Sequence, residues 1–276
     1  MKQKRIKLAL EEITSHVAEH CEAVSVHFSE DTIHEFRVSV KMLRAVLRLH
    51  RAYSGNKKLR ISTRLKTLYD LAGVIRESQL ELKVLAACNA DVPSYTTYLE
   101  QTIARKKAEW LKVADPDIFR KLRRKLNNAD YEAMPAEYIG TFLKNNVAAA
   151  ADILGVKNPS DHSIHRSRRL LKDVLHLIKF CKHHWKAAER QTKQLPVQQL
   201  SKLAEATGRY NDARMRLKHL SSFVINPALA EEVKHMEKLR SEEAAKLTAA
   251  KRKLLASARL KMKKISETSS SDKESN

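Results

Sequence analysis

Six basic residues, His34, Arg37, Lys41, Arg44, Arg48 and Arg51, recur at spacings of three and four, and His165, Arg168, Lys172, His176, Lys179 and His183 repeat the arrangement. At about 100° per residue each set is confined to one helical stripe, the first within an arc of about 100°. Phe36, Val40, Leu43 and Leu47 fall on the opposite side of the first segment, and Leu171, Val174, Ile178 and Cys181 on that of the second. Guanidinium and ammonium groups ranked along a stripe suit one chemistry above others, charge-assisted hydrogen bonding to the oxygens of an anion. From Arg37 to Arg51 the stripe holds no acid. A solvated helix face interleaves Glu with Lys in i,i+4 pairs, as residues 229–264 do with Glu231, Glu232, Lys234, Glu237 and Lys238. The paired stripes therefore predict a site for a polyanion.

Such stripes need rigid helices to hold them. Five glycines and six prolines among 276 residues predict an all-α chain without strands, and 43% hydrophobic residues suffice for a proper core. The length allows one large domain or two fused halves. A net charge of +21, from 53 Lys and Arg against 32 Asp and Glu, calls for an acidic partner. The pattern predicts a first helix over 4–28, then the His34 helix, opened by a Thr32–Glu35 capping box and closed near Tyr53-Ser54-Gly55. A third helix over about 57–72 runs into Gly73, a fourth covers about 74–90, and further helices follow Pro93 and Pro116. The second half begins near Pro135, caps the His165 helix with residues 158–161, breaks at Gly208 and ends in a long helix after Pro227. On this reading His34 and His165 open their helices, where unpaired N–H groups and the helix dipole favour an anion. The offset between halves is 131 residues at the histidines and 135 at the glycines, a near-constant spacing that suggests internal duplication.

A second signature accompanies the glycines. Leu71-Ala72-Gly73-Val74-Ile75-Arg76-Glu77 aligns with Ala206-Thr207-Gly208-Arg209-Tyr210-Asn211-Asp212, each with a carboxylate four residues after the glycine. Glycine permits close helix approach or reversal, and the carboxylates of Glu77 and Asp212 are expected to orient arginines of the basic face. Cys21, Cys88 and Cys181 are too dispersed for a disulfide framework or a metal knuckle, which fits a reducing cytoplasm. Lys7, Glu11 and Glu12 interrupt the start of the chain, so no ordinary signal peptide is expected, and no window spans a bilayer. His162, His165, His183 and His184 could suggest a transition metal, but Arg166, Arg168, Arg169 and Lys186 crowd them with positive charge.

His34-Glu35-Phe36-Arg37-Val38-Ser39-Val40-Lys41-Met42-Leu43-Arg44, the Gly73 to Glu77 segment and their copies at His165 to Lys172 and Gly208 to Asp212 resemble the CHAD family, the conserved-histidine α-helical domain. The resemblance implies two pseudo-symmetric antiparallel four-helix bundles with additional long helices, and non-catalytic binding of inorganic polyphosphate in a basic cavity or groove. It makes one domain of 1–265, with repeats of about 1–132 and 133–265, followed by a disordered tail at 266–276. The ligand-facing set it implies is His34, Arg37, Lys41, Arg44, Arg48 and Arg76 with His165, Arg168, Lys172, His176 and Lys179, supported by Glu77 and Asp212. No cofactor or metal is implied, and localisation is cytoplasmic, with polyphosphate granules a further implication. Three positions depart from the family pattern. Lys41-Met42 has one base where a pair is usual, and Glu77 replaces an aspartate, while in the second copy Asp173 and Leu175 stand where bases are expected, so the second half is expected to bind less strongly.

Two other readings compete. A helical body of this charge could bind nucleic acid without specificity, although only 5% of residues are aromatic and no stacking platform accompanies the stripes. A polyphosphate-processing enzyme would need acids to hold a catalytic cation near the basic tract, and no Glu-x-Glu-x-Lys pattern occurs. Weak nucleic-acid affinity is compatible with the favoured reading. Oligomeric state is not encoded in any of these features.

Overall fold

The computed structural model describes residues 1–225 and 229–271. Among them lie ten helices and no strand, in the order α1 (Gln3–His27), α2 (Glu30–Ser54), α3 (Thr63–Ala87), α4 (Pro93–Val113), α5 (Asp117–Asn127), α6 (Ala136–Gly155), α7 (Asp161–His184), α8 (Lys186–Lys193), α9 (Val197–Ser222) and α10 (Ala230–Ser271). Two compact units result, one of Met1–Tyr138 with His183–Trp185, the other of Ile139–Lys182 with the chain from Lys186 onward. α10 covers residues 266–271 of the expected tail. Residues 272–276, and Pro227 ahead of the long helix, lie outside the described residues.

In the first unit α2 packs between α1 and α3, α4 packs on α3, and α5 on α1. The apolar side of the His34 helix is buried as its period requires, with Phe36, Val40, Leu43 and Leu47 all 2% exposed or less. Trp110 of α4 meets the Phe36 ring edge-on at 5.1 Å and Phe28 at 6.2 Å, while its Nε1 donates to Ser25 Oγ at 2.9 Å. Such aromatic contacts add about 0.5–1.5 kcal/mol each beyond area burial. They fix which face of α2 points inward, and with it which face carries the cations.

In the second unit α9 and α10 pack along each other. Ser167 of α7 donates to the Ala150 carbonyl of α6 at 3.3 Å, and Tyr210 of α9 donates to the Asp161 carboxylate at the start of α7. Leu171, Val174 and Cys181 are fully buried, with Leu177 taking the place expected of Ile178, which is half-buried.

The structure corrects three helix boundaries. α3 runs unbroken from Thr63 to Ala87 through Gly73, and α9 from Val197 to Ser222 through Gly208. Glycine costs a helix about 1 kcal/mol relative to alanine, but flanking helix-formers and tertiary packing outweigh that. α2 begins at Glu30 and not at the histidine, because Ser29 is its N-cap, accepting from the Thr32 N–H at 3.1 Å. Ser160 accepts from the Ser163 N–H at 3.2 Å in the same way ahead of α7. His34 and His165 are thus fifth residues of their helices, past the four orphan N–H groups.

Candidate functional site

Arg37 is held by a neighbouring helix rather than left to solvent. Its Nη1 donates to the Tyr69 carbonyl of α3 at 2.8 Å, and its guanidinium carbon sits 4.4 Å from the centroid of the Tyr69 ring. That carbonyl belongs to the helical turn that Gly73 follows by four residues, so it is the acceptor of the Gly73 N–H in the i→i−4 ladder. A Cβ on Gly73 would collide with Arg37 Nη1 and come within 3.2 Å of its Cζ. The glycine therefore serves as an access point, letting an arginine share a backbone acceptor in mid-helix. Arg44, about two turns along α2, lies over the same tyrosine at 5.4 Å. Both arginines are half-buried, and neither forms an ion pair among the described residues.

His34 meets Arg76 of α3, whose Nη1 contacts the imidazole Nδ1. A guanidinium can only donate, so Nδ1 accepts and the imidazole is neutral with its proton on Nε2. Burial holds the His34 pKa below its ordinary value and the Arg76 charge pushes the same way, while Glu35 pulls against them, Lys41 adds to the lowering and Asp31 opposes it. Around α2 and α3 the structure thus gathers His34, Arg37, Lys41, Arg44 and Arg76, with Tyr69 among them. Arg48 is half-buried one turn beyond Arg44, and Arg51 is exposed in the last turn.

The second unit builds a related face differently. The His165 pKa is lowered chiefly by burial, a hydrogen bond with Asn211 opposes that, and Arg168, Arg214 and Arg169 lower it further. Asn211 stands 135 residues after Arg76, and each touches the histidine of its own half. Arg214 Nη2 donates to Asn211 Oδ1 at 3.4 Å, supplying from one turn away the charge that Asn211 lacks. Lys172 has a lowered pKa from burial and from Arg168, partly restored by Glu205 and Asp212. Arg168 and Arg214 each carry a buried Nε–H without an acceptor. Gly208 here is looser than Gly73, since an added Cβ would lie 4.0 Å from Arg168 Nε. Lys179 is exposed, His176 is half-buried, and Asp173 lies on the buried side of α7 with Leu171 and Val174.

Of the expected site residues, two groups are therefore brought together, His34, Arg37, Lys41, Arg44 and Arg76 in one unit and His165, Arg168 and Lys172 in the other. Sequence reasoning missed Tyr69, Asn211, Arg214 and Glu205. Asn211 was findable as the partner of Arg76 in the aligned signatures, whereas Tyr69 has alanine at the matching position 204 and gave no signal. Asp212 acts on Lys172 rather than on an arginine. The helix N-termini are not open anion sites, because acids fill their first turns. Glu30 pairs with Lys83 at 2.7 Å, and Asp161 accepts from Tyr210. His162 and His165 begin α7 while His183 and His184 end it, too far apart along one helix to share a metal. Among the described residues no group of three His, Cys, Asp or Glu could hold one, and no helix is long and apolar enough to cross a membrane.

Comparison with known proteins bears on this arrangement. No curated protein sequence matches the chain. A CHAD domain from the plant Ricinus communis has a similar fold, with a TM-score of 0.71 and 16% identity over 93% of this chain and 91% of that one. PptA from Streptomyces chartreusis is similar at a TM-score of 0.61 and 13% identity, over 93% of this chain and 98% of that one. Residues 8–221, which hold both stripes and both glycine signatures, match the CHAD domain family, and the chain belongs to that family.

Proposed function

We propose that this protein binds inorganic polyphosphate, without transforming it, on the cationic faces carried by α2–α3 and α7–α9. The observation that carries the reading is the pair Arg37 and Arg44, half-buried, oriented on one tyrosine ring and uncompensated by a carboxylate. Their side-chain freedom is already spent in the unliganded protein, so an incoming phosphate meets preorganised donors. The acceptor-less Nε–H groups of Arg168 and Arg214 support the same role for the second face, since an anionic oxygen would satisfy them. Polyphosphate has no base to read and carries charge along its whole length, so affinity comes from counterion release and charge-assisted hydrogen bonds in any register. The acids near the second face, Glu205 and Asp212, act on the charge of Lys172, which suits binding rather than a cation-assisted reaction. The matching Ser29 and Ser160 caps, 131 residues apart like the histidines, support descent of both faces from one duplicated unit. Association with cytoplasmic polyphosphate granules would follow.

Long-chain polyphosphate, duplex DNA and single-stranded RNA, matched in phosphate and titrated at physiological salt, test the reading. Polyphosphate is expected to win by about tenfold or more, because the ring on the α2–α3 face, Tyr69, is already taken by Arg37 and Arg44 and offers no free platform to a base. Equal affinity for DNA would instead make this a nucleic-acid-binding protein. Arg37→Ala with Arg44→Ala is expected to weaken polyphosphate binding more than Arg168→Ala with Lys172→Ala, each lost contact contributing about 1.5–3 kcal/mol.

A further inference from the structure

The loop that joins α2 to α3 displays Lys57, Lys58 and Arg60, all exposed. It is an ordered segment. Gly55 turns the chain out of α2 at a φ of 69°, Asn56 Oδ1 accepts from the Lys58 N–H at 3.0 Å, and the Leu59 side chain is 2% exposed in the core below. The last turn of α5 carries Arg124 and Lys125, and Lys125 Nζ donates to the Arg60 carbonyl of the loop at 2.9 Å. The loop and the helix end that touches it thus carry five exposed cations, and none of them forms an ion pair among the described residues. Cations nearby are treated differently. Arg64 has Asp115 at 3.6 Å, and Arg120 and Lys121 have Asp117 at 2.8 and 3.9 Å.

We propose that this loop and the end of α5 form a second anchoring site for a long polyphosphate chain whose other part lies on the α2–α3 face. The proposal rests on the polyphosphate reading of that face. The two sites are separated by the remainder of α2, since Arg44 to Ser54 spans about 15 Å at 1.5 Å per residue. A ligand of a few phosphates fills one site only, whereas a long chain reaches both, and its second contact is effectively intramolecular. Burial and the Arg60 charge lower the Lys125 pKa, a penalty that an adjacent phosphate would relieve. Residues 54–68 and 120–130 contain no aromatic ring, so the patch offers nothing to a base beyond its phosphate.

The test compares tripolyphosphate with long-chain polyphosphate, using the whole protein and a variant carrying Lys57→Gln, Lys58→Gln, Arg60→Gln, Arg124→Gln and Lys125→Gln. The variant is expected to bind the long chain about tenfold or more weakly and with a shallower salt dependence. Its tripolyphosphate affinity should match that of wild type, which also reports an intact fold. Register statistics cancel because each comparison is made at one chain length. Unchanged long-chain affinity and salt slope would overturn the second anchor while leaving the α2–α3 reading in place. Equal weakening toward both probes would also overturn it, by making the patch part of the primary site or of the fold. A wild type that binds neither probe would overturn the polyphosphate reading, and the anchor with it.

Discussion

The guanidinium of Arg37 occupies the space that a methyl group on Gly73 would need, so the glycine of α3 and the arginine of α2 form one device. Its counterpart, Gly208 beside Arg168, keeps ordinary van der Waals spacing for the same added carbon.

Alanine at the two glycines should therefore have opposite consequences. Gly73→Ala displaces the flexible end of Arg37 from the Tyr69 carbonyl while gaining helix propensity, so melting changes little and polyphosphate affinity falls. The lost preorganised contact is worth about 1.5–3 kcal/mol. Gly208→Ala gains up to about 1 kcal/mol of stability with affinity kept. Calorimetric titration and thermal melting of both variants check this, and equal loss of affinity in the two would show that the asymmetry has no role.

Tyr69 is expected to act through its ring face and not its hydroxyl. Tyr69→Phe should bind polyphosphate like wild type, whereas Tyr69→Leu should lose about 0.5–1 kcal/mol as Arg37 and Arg44 lose their shared platform. Both variants keep the backbone carbonyl, so any difference between them isolates the ring. Equal affinities would assign the orientation of the arginines to the carbonyl alone.

Polyphosphate binding should take up protons at His34 and His165. Both imidazoles have lowered pKa values in the unliganded protein, and a polyanion beside them raises those values. The bound state then holds more protons than the free one, so affinity rises as pH falls through the range around and below 6.5, and is insensitive to these groups well above it. Titration in buffers of different ionisation enthalpy counts the protons. The His34→Gln, His165→Gln variant should take up fewer; identical uptake would make both histidines structural.

His50 governs acid stability instead. It is 2% exposed, packs edge-on to Tyr131 at 5.5 Å, leaves a buried Nε2 without a partner, and has its pKa pushed down to about 4 by burial and then by the chain's amino group. Between about 4 and 6.5 the unfolded chain binds more protons than the folded one, so stability is full above 6.5 and declines as pH falls toward 4. The decline amounts to on the order of 3 kcal/mol. His50→Phe should flatten that window and be neutral or stabilising at higher pH, since it removes the orphan nitrogen while keeping ring shape. An unchanged slope in denaturant titrations across that range would place the acid sensitivity elsewhere.

Helical class, the buried side of α2 and the existence of two cationic faces were legible because each depends on a period that side-chain type alone reveals. Gly73 misled the reading of α3 for a physical reason. A glycine that ends a helix and a glycine that admits an arginine from a neighbouring helix look the same until the neighbour is placed. Thr32 with Glu35 was similarly ambiguous beside Ser29, and choosing the later cap put His34 at an N-terminus it does not occupy. Tyr69 was invisible for a third reason: its role depends on a helix-to-helix approach, and it has no counterpart in the other half. Asn211 shows the reverse, a residue whose meaning is recoverable from register once Arg76 is seen to touch His34.

The burial of Trp110 against Phe36 has an optical consequence. The chain has two tryptophans, Trp110 and Trp185, and both belong to the first compact unit. Trp185 is joined on both sides to segments of the second unit, so with Trp185→Phe in place indole emission follows Trp110 and the first unit, while far-ultraviolet dichroism follows every helix. A heating or denaturant curve recorded by both signals separates the melting of the two halves without any label. Phe36 immediately precedes Arg37 on α2, so a shift of that helix on loading its cationic side would also register as a change in indole colour.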